Sequence, residues 1–327
     1  FFAFDKFRQD KMEVNGEVGQ MKTDAVFEGG GVKGIAFIGA ISVMEEHGFE
    51  WHRLSGTSAG SIVAALLSAG YNSQELTPVF QRLNYLSFLQ QRGLARLPYI
   101  GGIAGLLFKE GIYPSDNIEK FVDELLARKG VRVFGDLPGG KLRIIASDIT
   151  AGKMLIFPDD LTDFDLDPDN FPIARAVRMS CSIPYFFYPY RMKKNGGFHY
   201  IVDGGLLSNF PVWLFDGPGL PEWPAFGFRL ANKATSGEKS KIRGLISFSK
   251  ALLTTMLDAH DRFHIEHNSA VRTVFIPTLG IRTTQFNLSE AKRVELIASG
   301  RKATEAFLQT WSFQEYCNRF RDHPSND

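Results

Sequence analysis

Val26-Phe27-Glu28-Gly29-Gly30-Gly31-Val32-Lys33-Gly34-Ile35, followed after a short interval by Leu54-Ser55-Gly56-Thr57-Ser58-Ala59-Gly60-Ser61, is the stretch that decides the fold. Each half is a short apolar run, then a glycine-rich turn, then a segment of helical length. Residues 24–28 predict a buried strand and 32–47 a helix stopped at Gly48. Residues 51–55 predict a second strand and 59–69 a second helix stopped at Gly70. Two successive strand–turn–helix units indicate an α/β protein with a largely parallel sheet wrapped by helices.

Working outward, helical spacing is expected over 73–91, 115–129 (with Ser115 as N-cap), 173–182, 244–268 and 289–307. Strands are expected over 142–147 and 153–157 around a turn at Gly152, and over 200–202, 225–230 and 272–276. Residues 1–23 alternate charge and Phe without a period and read as an irregular extension. No internal repeat and no linker is visible. The expectation is one domain: the extension 1–23, a core over 24–215, and a mostly helical part over 216–327.

Composition narrows the class. With 327 residues, 44% hydrophobic and 22% charged, the chain has the make-up of a globular protein with a large core. A net charge of +1 provides no global field for a polyanion, which argues against nucleic acid as the main partner. Two cysteines, Cys181 and Cys317, make no disulfide framework and suit a reducing compartment. The best apolar run, 35–44, is about half the roughly 18 residues a spanning helix needs. No secretory signal is expected from the opening residues, although the sequence starts at Phe1 and not at Met. The expected location is cytoplasmic, with peripheral contact at a membrane surface. The 29 Phe are read either as a Phe-rich core or as an apolar face for lipid.

Chemistry is carried by three motifs. Gly56-x-Ser58-x-Gly60 on a strand-to-helix turn has the pattern of a nucleophile elbow, whose sharp bend tolerates only small neighbours. Ser58 would also stand at the start of the following helix, whose dipole favours developing negative charge. The alternative is a tight glycine turn with an incidental serine. The upstream run 29–34 also satisfies G-x-G-x-x-G, but no carboxylate closes the second strand to bind ribose, so a dinucleotide reading is weak. Lys33-Gly34 does not complete a phosphate-binding P-loop. What is left for the glycine run is an oxyanion hole built from backbone N–H groups, with Lys33 close enough to hold an anionic head group or simply solvated.

Two readings stand for the base. Asp203 sits at a strand end before Gly204-Gly205, where burial would raise its pKa towards that of a useful base; a plain surface turn is the alternative. The other reading is a histidine. Of His47, His52, His199, His260, His264, His267 and His323, only His260, His264 and His267 share a helix face, which suits a metal or a salt-bridged surface as well. The acidic stretch from Asp159 to Asp169 carries six aspartates, but the register from Asp163 puts Pro168 and Ala174 where a calcium loop needs glycine and glutamate.

In this order the three motifs resemble the patatin-like phospholipase family, related to cytosolic phospholipase A2, which pairs G-G-G-x-[KR]-G, G-x-S-x-G and D-G-[GA]. They are matched by Gly29 to Gly34, Gly56 to Gly60 and Asp203 to Gly205, and the likeness extends over 24–212, including Asp148 with Gly152 and the run from Ala176 to Pro184. Glu28 stands where the plant storage proteins have aspartate. The resemblance implies a three-layer α/β/α fold with a mainly parallel central sheet, and hydrolysis of lipid acyl esters without metal or other cofactor. It implies Ser58 as nucleophile, Asp203 as general base, and the amides of Gly30, Gly31 and Val32 as oxyanion donors. Phospholipid or another acyl-ester lipid is the expected substrate. The apolar segment 97–108 and the aromatic run 185–190 are expected to touch acyl chains or membrane, or in the second case to pack in the core. The same dyad would serve an acyltransferase or thioesterase.

Overall fold

The computed structural model describes residues 21–89, 111–231 and 270–321. Its centre is a mixed sheet of eight strands: β1 (Met21–Phe27), β2 (Phe49–Thr57), β3 (Leu142–Asp148), β4 (Lys153–Phe157), β5 (Tyr190–Lys194), β6 (Gly197–Asp203), β7 (Ala225–Ala231) and β8 (Thr273–Pro277). Five of them, in the order β3-β2-β1-β7-β8, run parallel. β4, β5 and β6 join antiparallel at the β3 end. The C-terminal halves of β1 and β2 and nearly all of β7 are buried, because both faces of the sheet are covered there.

One face carries helices. Phe27, Phe226 and Phe228 meet Phe37 of α1 (Ala36–Glu46), together with Phe307 of the long helix 290–310 and Trp311 just beyond it. Across the sheet lies the segment 207–224, with Phe210 and Val212 crowding Gly227, and Phe215 under Arg53 and Arg143. Of the remaining helices, α2 (Ala59–Ser68), α3 (Ser73–Arg82), α4 (Asp116–Arg128), α5 (Ile173–Ser180) and α6 (Glu290–Thr310) follow the expected order, and α7 (Phe313–Arg321) is a helix that was not expected.

Strand register sets up the site. β1 and β2 are parallel with Phe27 opposite Gly56, so the glycine loop and Ser58 emerge side by side. On one edge of β3, β4 pairs continuously from Ile144 to Asp148. On its other edge β2 pairs as far as Ile145, opposite Thr57, and β6 takes over at Ala146, opposite Asp203. β2 and β6 therefore lie end to end along β3, pointing at each other, and their C-terminal ends meet.

Several expectations are adjusted. The helix expected over 73–91 ends at Arg82, and a separate 3-10 turn covers Tyr85–Leu89. Ser115 does not cap α4 through its side chain; its Oγ accepts from Arg178 Nε at 3.0 Å. The short strand expected over 200–202 is the end of a hairpin whose first strand, β5, is polar and was not expected. The helix expected over 244–268, the segment 97–108, and His260, His264, His267 and His323 lie outside the described residues.

Candidate active site

Ser58 follows β2 and precedes α2 with φ 51° and ψ −124°, a conformation that costs a non-glycine residue about 1–3 kcal/mol and persists only where its surroundings hold it. Here they do. The Ser58 N–H donates to Ser180 Oγ at 2.8 Å, and Ser180 in turn donates to the Ile145 carbonyl at 2.6 Å. The Ser58 carbonyl accepts from the N–H and the Oγ of Ser61. The flanking glycines are required by space: a Cβ on Gly56 would lie 2.2 Å from the Gly60 carbonyl oxygen, and one on Gly60 would lie 2.2 Å from that of Phe27.

Although 145 positions apart, Ser58 and Asp203 are in contact: Ser58 Oγ donates to Asp203 Oδ2 at 2.6 Å. The other carboxylate oxygen, Oδ1, accepts the Gly205 N–H at 2.8 Å, and the Asp203 N–H donates to the Ser182 carbonyl at 2.9 Å. Both side chains are nearly buried, Ser58 at 5% exposure and Asp203 at 6%. Burial pushes the Asp203 carboxyl up to about 6, against the hydrogen bonds from Ser58 and Gly205, which favour the charged form. Cys181, close by, is also buried, and its thiol is pushed well above its ordinary value by burial and by the Asp203 charge.

The glycine loop is tied down by distant parts of the chain. Glu28 is buried against Arg229, with its carboxylate also accepting the Leu230 N–H, so this position anchors the loop to β7. Gly29 exchanges hydrogen bonds with Asn209, its N–H to the Asn209 carbonyl and its carbonyl from Asn209 Nδ2. Thr57 Oγ1 donates to the Ser208 carbonyl, so the segment after Asp203-Gly204-Gly205 laces the loop to the elbow. Gly34 packs against Ala59. Gly31 has φ 56°, and a Cβ there would fall 2.3 Å from the Thr283 carbonyl oxygen.

That carbonyl accepts the Val32 N–H at 3.2 Å, which corrects the expectation of three open donors: the Val32 amide is engaged in this structure. The N–H groups of Gly30 and Gly31 have no partner among the described residues. Lys33 is 8% exposed and has no ion pair among the described residues.

No described histidine touches Ser58. His47 contacts its own helix at Val43, His52 lies between Asp24 and Trp223, and His199 Nδ1 meets Asp148 at 2.6 Å. In the aromatic run 185–190, Phe187 is buried and Phe186 stacks on Phe286, whereas Tyr185 is half exposed. In the acidic stretch, Lys153 bridges Asp160 and Asp163. Among the described residues no group of three His, Cys, Asp or Glu is arranged to hold a metal, and no helix is long and apolar enough to cross a membrane. Sequence reading quoted Ser180 within the run 176–184 without giving it a role and missed Ser208 and Asn209, whose partners lie far away in sequence.

A serine on a strand-to-helix elbow, facing a carboxylate above a mostly parallel sheet, defines a recognisable class of α/β proteins. The family model for patatin-like phospholipase matches residues 25–216, and the chain belongs to that family. Lipid hydrolysis is the activity that membership supports. The chain is 44% identical over 297 residues to the uncharacterized protein YqhO of Bacillus subtilis, covering 90% of this chain and all of that one. It is 27% identical over 194 residues to the probable lipid hydrolase 463L of Invertebrate iridescent virus 6, covering 57% of this chain and 61% of the relative. VipD from Legionella pneumophila shares the fold, with a TM-score of 0.54 at 17% identity over 89% of this chain and 67% of that one.

Proposed function

We propose that the protein is a phospholipase A-type serine esterase that cleaves fatty-acyl esters through Ser58 and Asp203. The observation that carries this reading is the 2.6 Å hydrogen bond from Ser58 Oγ to Asp203 Oδ2 between two nearly buried side chains. Asp203 takes the proton as Ser58 Oγ attacks the ester carbonyl. Its second oxygen, fixed by Gly205, keeps the accepting one aimed at the hydroxyl. The amides of Gly30 and Gly31 stabilise the oxyanion. As the tetrahedral state collapses, Asp203 passes that proton to the leaving oxygen, which releases the alcohol and leaves an acyl-Ser58 ester with Asp203 ionised again. Asp203 then draws a proton from water, which attacks that ester; the proton passes to Ser58 Oγ as the acyl–oxygen bond breaks, freeing the fatty acid and restoring the dyad. Lys33, beside the loop, supplies positive charge for a phosphate head group. No cofactor enters these steps. The lipid is taken from a membrane surface by peripheral contact, and 24–215 with 216–327 acts as one catalytic domain, since β7 and β8 complete the same sheet.

The test is to incubate the protein with mixed phospholipids and follow released fatty acid and lysolipid by mass spectrometry. Wild type is expected to release both, and Ser58→Ala neither. Equal release by a well-folded Ser58→Ala variant would remove the proposal.

A further inference from the structure

We propose that the outward face of the β5–β6 hairpin docks the protein on anionic membrane lipid, presenting the Ser58 elbow to the lipid layer; this rests on the phospholipase reading above. In the hairpin Arg191 pairs with Tyr200 and Lys193 with Phe198. Alternation along the strands puts these four on one face and Met192 and His199 on the other. The second face turns inward: Met192 is buried and His199 meets Asp148. On the first face Arg191, Lys193 and Phe198 are exposed, Phe198 at 51%. The Arg191 guanidinium lies 5.2 Å over the Tyr200 ring. Ile149, 49% exposed, adjoins Tyr200 through its N–H to the Tyr200 carbonyl. The face thus combines two cations, two aromatics and an aliphatic residue, with no carboxylate among them.

The charge pattern of this part of the chain agrees. Residues 170–202 contain five Lys or Arg and no Asp or Glu, in a chain whose net charge is only +1. Two of the five, Arg175 and Arg178, are paired with Glu119 and Asp116 on α4. The other three belong to the hairpin, where Lys194 lies over Phe164 on the inward side, next to the acidic stretch. Cations interleaved with aromatic and aliphatic side chains suit an anionic lipid interface: the charges are drawn to the headgroups while the apolar groups settle just beneath them.

Position links this surface to the chemistry. β6 runs towards Asp203 from the turn at Asn195-Gly196, opposite in direction to β2. The hairpin tip therefore stands about 20 Å beyond the dyad, on the side where the parallel strands end and the elbow emerges.

The experiment uses the full chain carrying Ser58→Ala, so that vesicles stay intact, in sedimentation with phosphatidylcholine vesicles with or without roughly a third phosphatidylglycerol. Binding is expected only with phosphatidylglycerol and is expected to fall as salt rises. Adding Arg191→Glu and Lys193→Glu is expected to weaken binding at least about tenfold, and Phe198→Ser alone to weaken it severalfold. The same number of charge reversals on α4, Lys120→Glu with Arg128→Glu, is expected to change it little. Undiminished binding by the hairpin variants, or an equal loss in the α4 variant, would overturn the proposal. In chains that keep Ser58, turnover of a soluble short-chain ester is expected to be unchanged by Arg191→Glu, Lys193→Glu and Phe198→Ser; loss of it would mean the hairpin supports the site's fold and would likewise overturn docking. A wild type inactive on every ester removes the phospholipase reading, whereas the vesicle comparison judges the surface separately.

Discussion

The elbow around Ser58 and the glycine loop around Gly31 lie side by side, yet they are built in opposite ways. The elbow is largely shaped by its own residues: Gly56 and Gly60 admit the bend and Ser61 caps the Ser58 carbonyl, with distant support from Ser180 at the Ser58 N–H and from the Ser208 carbonyl at Thr57. The loop is held from outside, by Arg229, Asn209 and Thr283, and keeps the N–H groups of Gly30 and Gly31 without a described partner. A nucleophile needs a fixed position, which local geometry can provide. An anion-binding loop needs unspent donors, so its rigidity has to come from elsewhere in the chain.

The sharpest way to break this comparison is to remove a member of the dyad. Asp203→Asn is expected to lower kcat by about 10⁴, with little change in KM, because the hydroxyl loses its proton acceptor while the pocket is kept. Steady-state turnover of a soluble ester checks this.

That dyad was half legible in the sequence. Ser58 and Asp203 each stand on a glycine-marked strand end, and the motif order pointed to both. Their meeting was not legible. It depends on β2 and β6 abutting along β3, and β6 belongs to a hairpin whose first strand, Tyr190–Lys194, is too polar to read as a strand. The same holds for the loop. Glycine content suggested bare amides, but the contact of Val32 with Thr283 joins residues remote in sequence, and no spacing rule reaches it. Ser115 stands at the N-cap position that the sequence suggests, but its hydroxyl is recruited by Arg178 and not by the helix, a partner that no local pattern reveals.

Next in size is Gly31→Ala. The positive φ and the Thr283 carbonyl leave no room for a methyl group, so the loop must shift. A fall in kcat equivalent to the loss of one oxyanion donor is expected, about 2.7–4 kcal/mol in transition-state stabilisation. Labelling of Ser58 by a fluorophosphonate should slow in parallel while the fold, followed by circular dichroism, is retained.

Ser180→Ala is expected to cost less. It removes the acceptor for the Ser58 N–H and leaves that buried donor unsatisfied, a loss of about 1–3 kcal/mol in stability with a lower kcat. Ser180→Thr, which keeps the hydroxyl, is expected to recover part of the rate. Full activity in Ser180→Ala would show that the elbow does not need this distant support.

The last effect concerns stability and pH. The Asp203 pKa is raised from 3.8 to about 6, so between these values the folded state binds more protons than the unfolded one, and stability falls as pH rises through that window. Asp203→Asn is therefore expected to raise the melting temperature above pH 6, by the equivalent of about 3 kcal/mol, and to lose this advantage below pH 4. The same pKa gives kcat/KM of the wild type an acid limb near pH 6.

The most direct measurement is site mapping of a covalent probe. Wild type, Ser58→Ala and Asp203→Asn are treated with a fluorophosphonate, and the labelled peptide is identified by mass spectrometry. The dyad predicts a single adduct on Ser58 in wild type, slow labelling in Asp203→Asn and none in Ser58→Ala. An adduct on another residue, or Asp203→Asn labelling as fast as wild type, would contradict it.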